Sequence, residues 1–576
     1  MEQLLKKIKS HSLQEMIREY RWLSRYSALY KAEILWYIFI GILGTGTSLL
    51  ASILSKHIID AVTGFDNHGI LVALLFFVIM EIFQILFRAI SSRISTKINI
   101  RVNQQIAADV YDKLLQTDWE SLSAYHSGDL LTRVVGDVST VSSSVLGWVP
   151  DLITKTLQFA GTLGVILYYD YTLALLALIS APVTLLIGRY VVKMMRQHNQ
   201  KMRKLSSEMT VFNSESFQNI LLIKAFDRVS ARSEKHRQIQ RQYEEASLEY
   251  NRFSIRKSTL MSIVGTVVTL SCFCWSIYRL WSGHISYGTM TLFLQLAGTL
   301  SGTFSALAGM IPSAINAATA ASRIMTITQL PAEDITNTEE ADRFIQEHSN
   351  APLSIHAKDL LYHYNDGIVV LQDTNFEIKN GQIVAFVGPS GEGKTTLLRL
   401  LLGIIPPKSG SLHVKAADGA SIAISPTTRK LFAYVPQDNI FFTGTVADNL
   451  RLIKPDATDE QLYDVLAIAC ADEFIRQLPQ GLYTSVKERG TGFSEGQLQR
   501  LCIARALLSD APFLLMDEAT SALDQETEQR LLQNIMQSQK NRTCIITTHR
   551  PSMLEISHQI YRIDQNIVRS VSKDDC

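Results

Sequence analysis

Six apolar stretches in residues 1–325 set what this chain can become. They lie near Ile34–Ser55, Ile70–Ile90, Val145–Tyr168, Leu173–Val192, Thr259–Trp281 and Thr289–Ile311. Each has roughly the 20 apolar residues that one helical bilayer crossing requires. The third and the sixth are interleaved with Thr, Ser and Gly. Small residues between Gly298 and Gly309 permit close helix contacts or line a water-filled path. The first half therefore reads as an all-α transmembrane domain of six long helices.

Loop charge orients it. The short connections Asp60–Asn67, Asp170–Tyr171 and Ser282–Tyr287 contain no Lys or Arg. The two long connections are basic, with Arg93, Lys97, Arg101, Lys113 and Arg133 in one and Arg189, Lys193, Arg196, Lys201, Arg203 and Lys204 in the other. Positive residues stay inside, which predicts cytoplasmic long connections and cytoplasmic termini. Ile98–Leu115 and Met202–Arg241 lack Pro and have few Gly, so the membrane helices are expected to continue into the cytoplasm. Ser12–Lys31 mixes Leu13, Met16, Ile17, Tyr20, Trp22 and Leu23 with Arg18, Arg21 and Arg25. This is the pattern of an amphipathic helix along a membrane surface, or of an ordinary surface helix. Met1–Lys9 is polar and basic with no apolar core directly after it, which is not the pattern of a cleaved signal.

Net charge is +1, so no global field points to nucleic acid. The six cysteines, Cys272, Cys274, Cys470, Cys502, Cys544 and Cys576, have neither zinc spacing nor a disulfide framework. Glu81 and Gln84 lie one turn apart inside the second apolar stretch. An intramembrane carboxylate is a functional candidate, binding a cationic part of a substrate or pairing with another span. Arg88, one further turn along the helix, is the alternative partner, and the other reading is a structural hydrogen bond.

The second half has a different grammar. Leu330–Pro352 is polar and acidic and reads as a linker. After it, the strand-like runs Leu353–Ile355, Gln382–Val387, Leu431–Val435, Phe513–Met516 and Thr543–Thr547 alternate with helix-like runs, the signature of a sheet with helices packed on it. Gly388-Pro389-Ser390-Gly391-Glu392-Gly393-Lys394-Thr395-Thr396 follows one such strand and precedes a helix. It fits the phosphate-binding template G-x-x-x-x-G-K-[ST]. Its glycines let backbone N–H groups converge on phosphate, and the helix adds its positive end. Lys394 reaches the outer phosphates and the Thr395 hydroxyl holds Mg²⁺. The strand Phe513–Met516 ends in Asp517 and Glu518. Asp517 can position Mg²⁺ through water, and Glu518 can orient and polarise the attacking water.

With these residues in order, nearly the whole chain resembles an ATP-binding cassette transporter of the exporter type. It has the layout of a half-transporter: one six-helix membrane domain fused to one α/β P-loop ATPase domain. Tyr362-His363-Tyr364 resembles the aromatic loop, with Tyr364 stacking on adenine. Val435-Pro436-Gln437-Asp438 resembles the Q-loop, which implies Gln437 near Mg²⁺ and the attacking water. Glu488-Arg489-Gly490 resembles the exporter-specific segment. Phe493-Ser494-Glu495-Gly496-Gln497 occupies the signature position. Ser521-Ala522-Leu523-Asp524 resembles the D-loop, and His549 the switch histidine. The resemblance implies two cassettes closing head to tail on two ATP molecules, each ATP lying between one chain's phosphate loop and the other's signature segment. It also implies transmission through short cytoplasmic helices, expected near Trp119–Tyr125 and Val211–Asn219. Their Trp119, Tyr125, Phe212 and Phe217 can dock into grooves on a cassette or pack within the helical extensions.

The expected division is residues 1–32 as an N-terminal amphipathic segment, 33–328 as the membrane domain, 329–352 as a linker and 353–576 as the ATP-binding domain. One departure stands out. The family signature has two glycines where this chain has Glu495-Gly496. A carboxylate facing the γ-phosphate would repel it, so Glu495 is expected to turn outward. The readings left open are a homodimer with two working sites, a subunit of a heterodimer with one weak site, and a slow pump. The expected function is an ATP-driven exporter of an amphipathic or hydrophobic compound, lipid or peptide, in a multi-pass, bacterial-type plasma membrane. The competing class is a membrane-anchored, ATP-gated regulator that moves no cargo.

Overall fold

The computed structural model describes residues 12–147, 149–176, 201–202, 204–365, 367–487, 490, 492–538 and 542–573. The expectations for Met1–Lys9, for most of the fourth apolar stretch, for Arg189, Lys193, Arg196 and Arg203, for Glu488-Arg489 and for Cys576 fall outside them. The chain divides into two compact units. One is Met1–Leu114 with His126–Gln329; the other is Leu115–Tyr125 with Leu330–Cys576.

The first unit is helical. Long apolar runs propagate as single helices: Lys31–Thr63, Asn67–Leu115, Val149–Tyr169, Val229–Trp281 and Tyr287–Thr328, with Pro150 in the first turn of the third of these and Pro312 inside the last. The second and fifth membrane helices have 49 and 53 residues. At 1.5 Å per residue they are more than twice as long as a hydrocarbon core of about 30 Å. The continuation of the second helix through Ile98–Leu115 therefore holds. Its membrane part exposes Leu71, Leu74, Leu75, Phe76, Ile82 and Ile85, a surface that lipid satisfies and water does not.

The run Met202–Arg241 differs from expectation. It breaks at Asn219 and again after Phe226, leaving the short helix Ile220–Ala225 between two longer ones. Asp227 takes the left-handed conformation, φ 51°, which a short polar side chain tolerates better than most. The short helix thus lies directly after the stretch Val211–Asn219 where the sequence suggested one. Glu81 is half-buried and Arg88 exposed, and no ion pair joins them among the described residues.

At the end formed by the short connections, one carboxylate ties two membrane helices together. Asp60 accepts from Lys56 Nζ at 2.8 Å, Ser286 Oγ at 3.0 Å and the Gly288 backbone N–H at 2.8 Å. It so caps the sixth membrane helix from the first, where negative charge meets the positive helix end. A Cβ at Gly288 would collide with the Lys56 carbonyl and the Asp60 carboxylate. Nearby, Asp170 accepts two bonds from Arg279, Nε at 2.9 Å and Nη2 at 2.6 Å.

The second unit holds two main sheets. The larger runs, in spatial order, Ile567–Val571, Gln559–Asp564, Ile383–Val387, Thr543–Thr547, Phe513–Asp517 and Phe432–Val435. All its pairs are parallel except the first, which is antiparallel. The three central strands are buried at every position, as expected of parallel strands covered on both faces. A smaller antiparallel sheet contains Leu353–His363, Val369–Ile378, Ser409–Ala416 and Ser421–Ala423. Phe386 stacks on Tyr561 and Phe432 on Phe513, with ring centroids 5.3 and 5.2 Å apart.

The stretch 329–352 is more than a connection. It contains the helix Thr338–Glu347, whose Ala341 and Phe344 are buried in the core of the second unit. Its charged residues lie on the outer face, and two apolar residues at i and i+3 suffice to anchor it. The segment Leu115–Tyr125 also belongs to this unit. Thr117 bridges Ala332, the Asp118 N–H donates to the Pro331 carbonyl at 3.0 Å, and the Asp118 carboxylate caps the helix Trp119–Ser123.

Candidate functional site

The phosphate loop follows the fully buried strand Ile383–Val387 and ends in the helix Lys394–Leu401. Gly388, Gly391 and Gly393 all have positive φ, at 155°, 90° and 100°. At Gly388 a Cβ would stand 2.5 Å from the Ile563 carbonyl oxygen, so only glycine lets the chain turn there. Pro389, Ser390 and Glu392 complete the loop, and Thr395 is half-buried in the first helical turn. Lys394 is 6 % exposed. Its Nζ donates to the Gly388 carbonyl at 2.8 Å, to the Pro389 carbonyl at 3.2 Å and to His549 Nε2 at 2.7 Å.

The acids meet this lysine from the adjoining strand end. Glu518 Oε1 lies 3.6 Å from Lys394 Nζ and 3.4 Å from His549 Nε2. Gln437 Nε2 donates to Glu518 Oε2 at 3.1 Å. Glu518 itself sits at φ 48°, a conformation that costs a non-glycine residue of the order of 1 kcal/mol. Its N–H is held by the Thr547 hydroxyl at 3.0 Å and carbonyl at 3.2 Å. Lys394, Gln437, Glu518 and His549, from four separate segments, thus form one cluster.

Asp517 is 1 % exposed. Its Oδ1 accepts from the Thr547 hydroxyl at 2.7 Å, whereas its buried Oδ2 has no hydrogen-bond partner among the described residues. A buried carboxylate oxygen without a donor is costly in isolation and fits a position beside a cation. Asp517 also adds to burial in pushing the Tyr434 phenol up to about 12.

Tyr364 is tied to the same helix. Its hydroxyl lies 3.1 Å from Thr396 Oγ1 and accepts from Arg399 Nη1 at 3.1 Å. The guanidinium of Arg399 in turn stacks over the Trp119 ring, 4.4 Å from its centroid. Glu120 pairs with Lys408 at 3.3 Å.

The signature stretch is built separately. Ser494 caps the helix Glu495–Leu507 in a reciprocal pair with Gln497: Ser494 Oγ accepts from the Gln497 N–H at 3.3 Å, and Gln497 Oε1 from the Ser494 N–H at 2.9 Å. Phe493 packs edge-on against Phe474 at 6.4 Å. Glu495 is exposed in the first turn, where a carboxylate suits the helix dipole. A Cβ at Gly496 would lie 3.0 Å from the Ala522 carbonyl oxygen. No hydrogen bond or ion pair joins Ser494–Gln497 to Gly388–Thr396 among the described residues.

Two family models match the chain: residues 34–304 fit the ABC transporter transmembrane region, and residues 371–521 fit the ABC transporter model. The chain is 30 % identical to an ATP-dependent lipid A-core flippase of Desulfotalea psychrophila over 77 % of this chain and 76 % of that one. This chain belongs to the ABC transporters. A multidrug resistance ABC transporter ATP-binding and permease protein of Lactococcus lactis is 26 % identical over 81 % of this chain and 78 % of its own. In fold, the transporter is similar to a bacterial Atm1-family ABC exporter with ATP bound, at TM-score 0.78 and 23 % identity, covering 95 % and 96 % of the two chains. It is an ABC exporter of the half-transporter layout: a membrane protein whose ATPase is coupled to transport.

Sequence reasoning missed the frame behind the site. Gln499, 1 % exposed, donates to Ser521 Oγ and accepts from the Ala522 N–H, both at 2.9 Å. It thereby ties the signature helix to Ser521–Asp524. Arg550 binds the carbonyls of Ser521 and Leu523 and the fully buried carboxylate of Glu528, which also accepts from Ser552. A buried Glu facing an Arg 22 residues away leaves no local sequence signal.

Proposed function

We propose that this chain is an ATP-hydrolysing exporter that moves an amphipathic or hydrophobic compound, lipid or peptide out of the cytoplasm by alternating access. The observation that carries the reading is the convergence of Lys394, Gln437, Glu518 and His549 at the end of a phosphate loop, in a chain that also carries long apolar helices. Lys394 and the loop N–H groups hold the phosphates. Glu518, aligned by Gln437, orients and polarises the attacking water, and His549 bears on the γ-phosphate side. Thr395, Gln437 and Asp517 fit Mg²⁺, which when bound neutralises charge building between the β- and γ-phosphates. Tyr364 takes the base.

Phe493–Gln497 has no partner in its own phosphate loop, which supports completion of each site by a second half-transporter; a second copy of this chain is favoured over a different subunit. The exposed Glu495 supports the same reading, since its backbone N–H stays available while its charge turns away. The helix Trp119–Ser123 and the exposed Phe217, Ile220, Leu221 and Phe226 are the surfaces through which cassette closure reaches the membrane helices. Positive residues in the long connections support cytoplasmic cassettes and termini.

The test is ATP-driven uptake of a fluorescent amphiphile into proteoliposomes carrying the chain alone with its cassettes outward. Uptake that requires ATP and is lost in Lys394→Ala supports the reading. Uptake unchanged in Lys394→Ala overturns it. ATPase that appears only after a different subunit is added replaces the homodimer with a heterodimer.

A further inference from the structure

Among the described residues, Lys155 has no counter-charge. Lys155 lies on the third membrane helix, Val149–Tyr169, 14 residues before its Tyr169 end. At 1.5 Å per residue it sits about 21 Å along the helix from that end, inside a hydrocarbon core of about 30 Å. A charged side chain at such a depth is costly without a partner. Among the described residues no carboxylate comes within ion-pair distance of its Nζ. Asp151, one turn away, is engaged by the Tyr37 hydroxyl of the first membrane helix at 2.8 Å. The Lys155 ammonium donates to Gln158 Oε1, at 3.1 Å.

The surrounding stripe is polar and inward. Asp151, Lys155, Gln158 and Thr162 recur at spacings of four, three and four, which places them on one helix face. That face lies between two packed ones. Thr154 and Gly161 meet the first membrane helix at Gly41 and Leu49. Phe159 meets Phe304 of the sixth at 6.3 Å. Lys155 and Gln158 are half-buried, so a ligand can reach them. Thr162, two turns further along, is 0 % exposed, and its hydroxyl has no hydrogen-bond partner among the described residues. An unpaired ammonium and an orphaned hydroxyl on one seam are two separate deficits of the same kind.

We propose that this seam is a substrate site, and that it takes the anionic headgroup of an amphipathic compound. Lys155 supplies a point charge for a phosphate, sulfate or carboxylate, Gln158 orients the ammonium and offers its own amide, and Thr162 donates to a polar atom nearer the apolar tail. The Phe159–Phe304 pair walls the site on the apolar side. The assignment rests on the exporter reading and narrows its substrate to acidic amphiphiles.

The experiment uses the purified full-length chain in lipid nanodiscs, with dodecyl phosphate, its neutral counterpart dodecanol, and inorganic phosphate. ATPase is normalised to each variant's own basal rate. Dodecyl phosphate should shift the wild-type rate at a concentration at least fivefold below that of dodecanol. Lys155→Gln should abolish that preference, and Lys155→Arg should keep it. A photoreactive dodecyl phosphate should label the peptide containing Lys155 to Thr162 without added ATP, and dodecanol should not compete. This arm reads the site even where hydrolysis is lost. An unchanged response of Lys155→Gln, or labelling elsewhere, overturns the assignment while leaving the pump intact. Competition by inorganic phosphate as strong as by dodecyl phosphate overturns the amphiphile class. Absence of ATP hydrolysis in the wild type, with labelling as expected, counts against the pump and not against the site.

Discussion

At the nucleotide cluster each side chain is fixed by several bonds, so single substitutions should separate their roles. Lys394 is surrounded by two carbonyls, an imidazole and a carboxylate. Lys394→Ala removes the cation that this shell is built around, and should lower ATPase about 10²–10³-fold, the scale set by loss of one preorganised charge-stabilising donor. A steady-state ATPase assay in nanodiscs decides it; a rate within threefold of wild type would refute the assignment. Glu495 invites the opposite test. Glu495→Gly removes an exposed carboxylate from the first turn of the helix Glu495–Leu507. The loss of helix propensity and dipole complementarity should destabilise the cassette by about 1 kcal/mol, while ATPase should hold or rise up to threefold. A large loss of ATPase would mean that the carboxylate takes part in the site. The phosphate loop, the paired acids and Gln437 were legible from sequence because their spacing along the chain encodes their chemistry. Lys155 was not, because one lysine is averaged away within an apolar run of some twenty residues. Cys502 and Cys544 behave as small hydrophobes, their thiols pushed up to about 11 by burial.

At the scale of elements, local charge anchors segments whose composition alone reads as loop or membrane. The helix Thr338–Glu347 ends on His348, whose Nε2 meets Asp418 at 3.0 Å. That hydrogen bond, with the Phe344 carbonyl at Nδ1, raises the His348 pKa, so the pair stabilises the fold below the ordinary histidine value and its contribution disappears as pH rises through the raised one. The Asp418 pKa is lowered, first by the Ala420 N–H and then by His348, so its contribution is present above the ordinary carboxylate value and is lost as pH falls through the lowered one. Comparing wild type with Asp418→Asn, the melting temperature of the second unit should differ most near pH 6 and converge by about pH 9, on either side of an unperturbed histidine pKa of about 6.5. A pH-independent gap would remove the histidine from the explanation. In the first unit, Asp60→Ala should cost about 1–3 kcal/mol, the penalty for leaving partly buried donors unsatisfied, read as a thermal shift in nanodiscs. No shift would mean that the Asp60 bridge between the first and sixth membrane helices adds nothing. The helix breaks at Asn219 and after Phe226 escaped the sequence because neither is marked by glycine or proline; Asn219 keeps a negative φ and Asp227, in the second break, is left-handed.

At the scale of the molecule, the membrane half and the ATPase half were both legible in the sequence. Twenty-residue apolar runs and buried alternating strands have different periods, and the motifs fell in order along one chain. What sequence left open was whether Trp119–Tyr125 docks on a cassette or packs within the helical extensions. Leu115–Tyr125 lies between membrane helices in sequence, yet it packs within the ATPase unit, with Trp119 against Arg399 and Arg399 bound to Tyr364. Trp119→Ala should therefore retain basal ATPase within about threefold, since the residue lies outside the hydrolytic cluster, and should lose at least half of the transport per ATP. Simultaneous measurement of uptake and phosphate release in one proteoliposome preparation provides that ratio. The central claim is that hydrolysis at Glu518 drives vectorial movement, and its most direct test is Glu518→Gln in the same vesicles. ATP binding should persist, with hydrolysis and uptake both falling at least a hundredfold. Uptake or gating that continued while hydrolysis stopped would contradict the pump and leave an ATP-operated switch in its place.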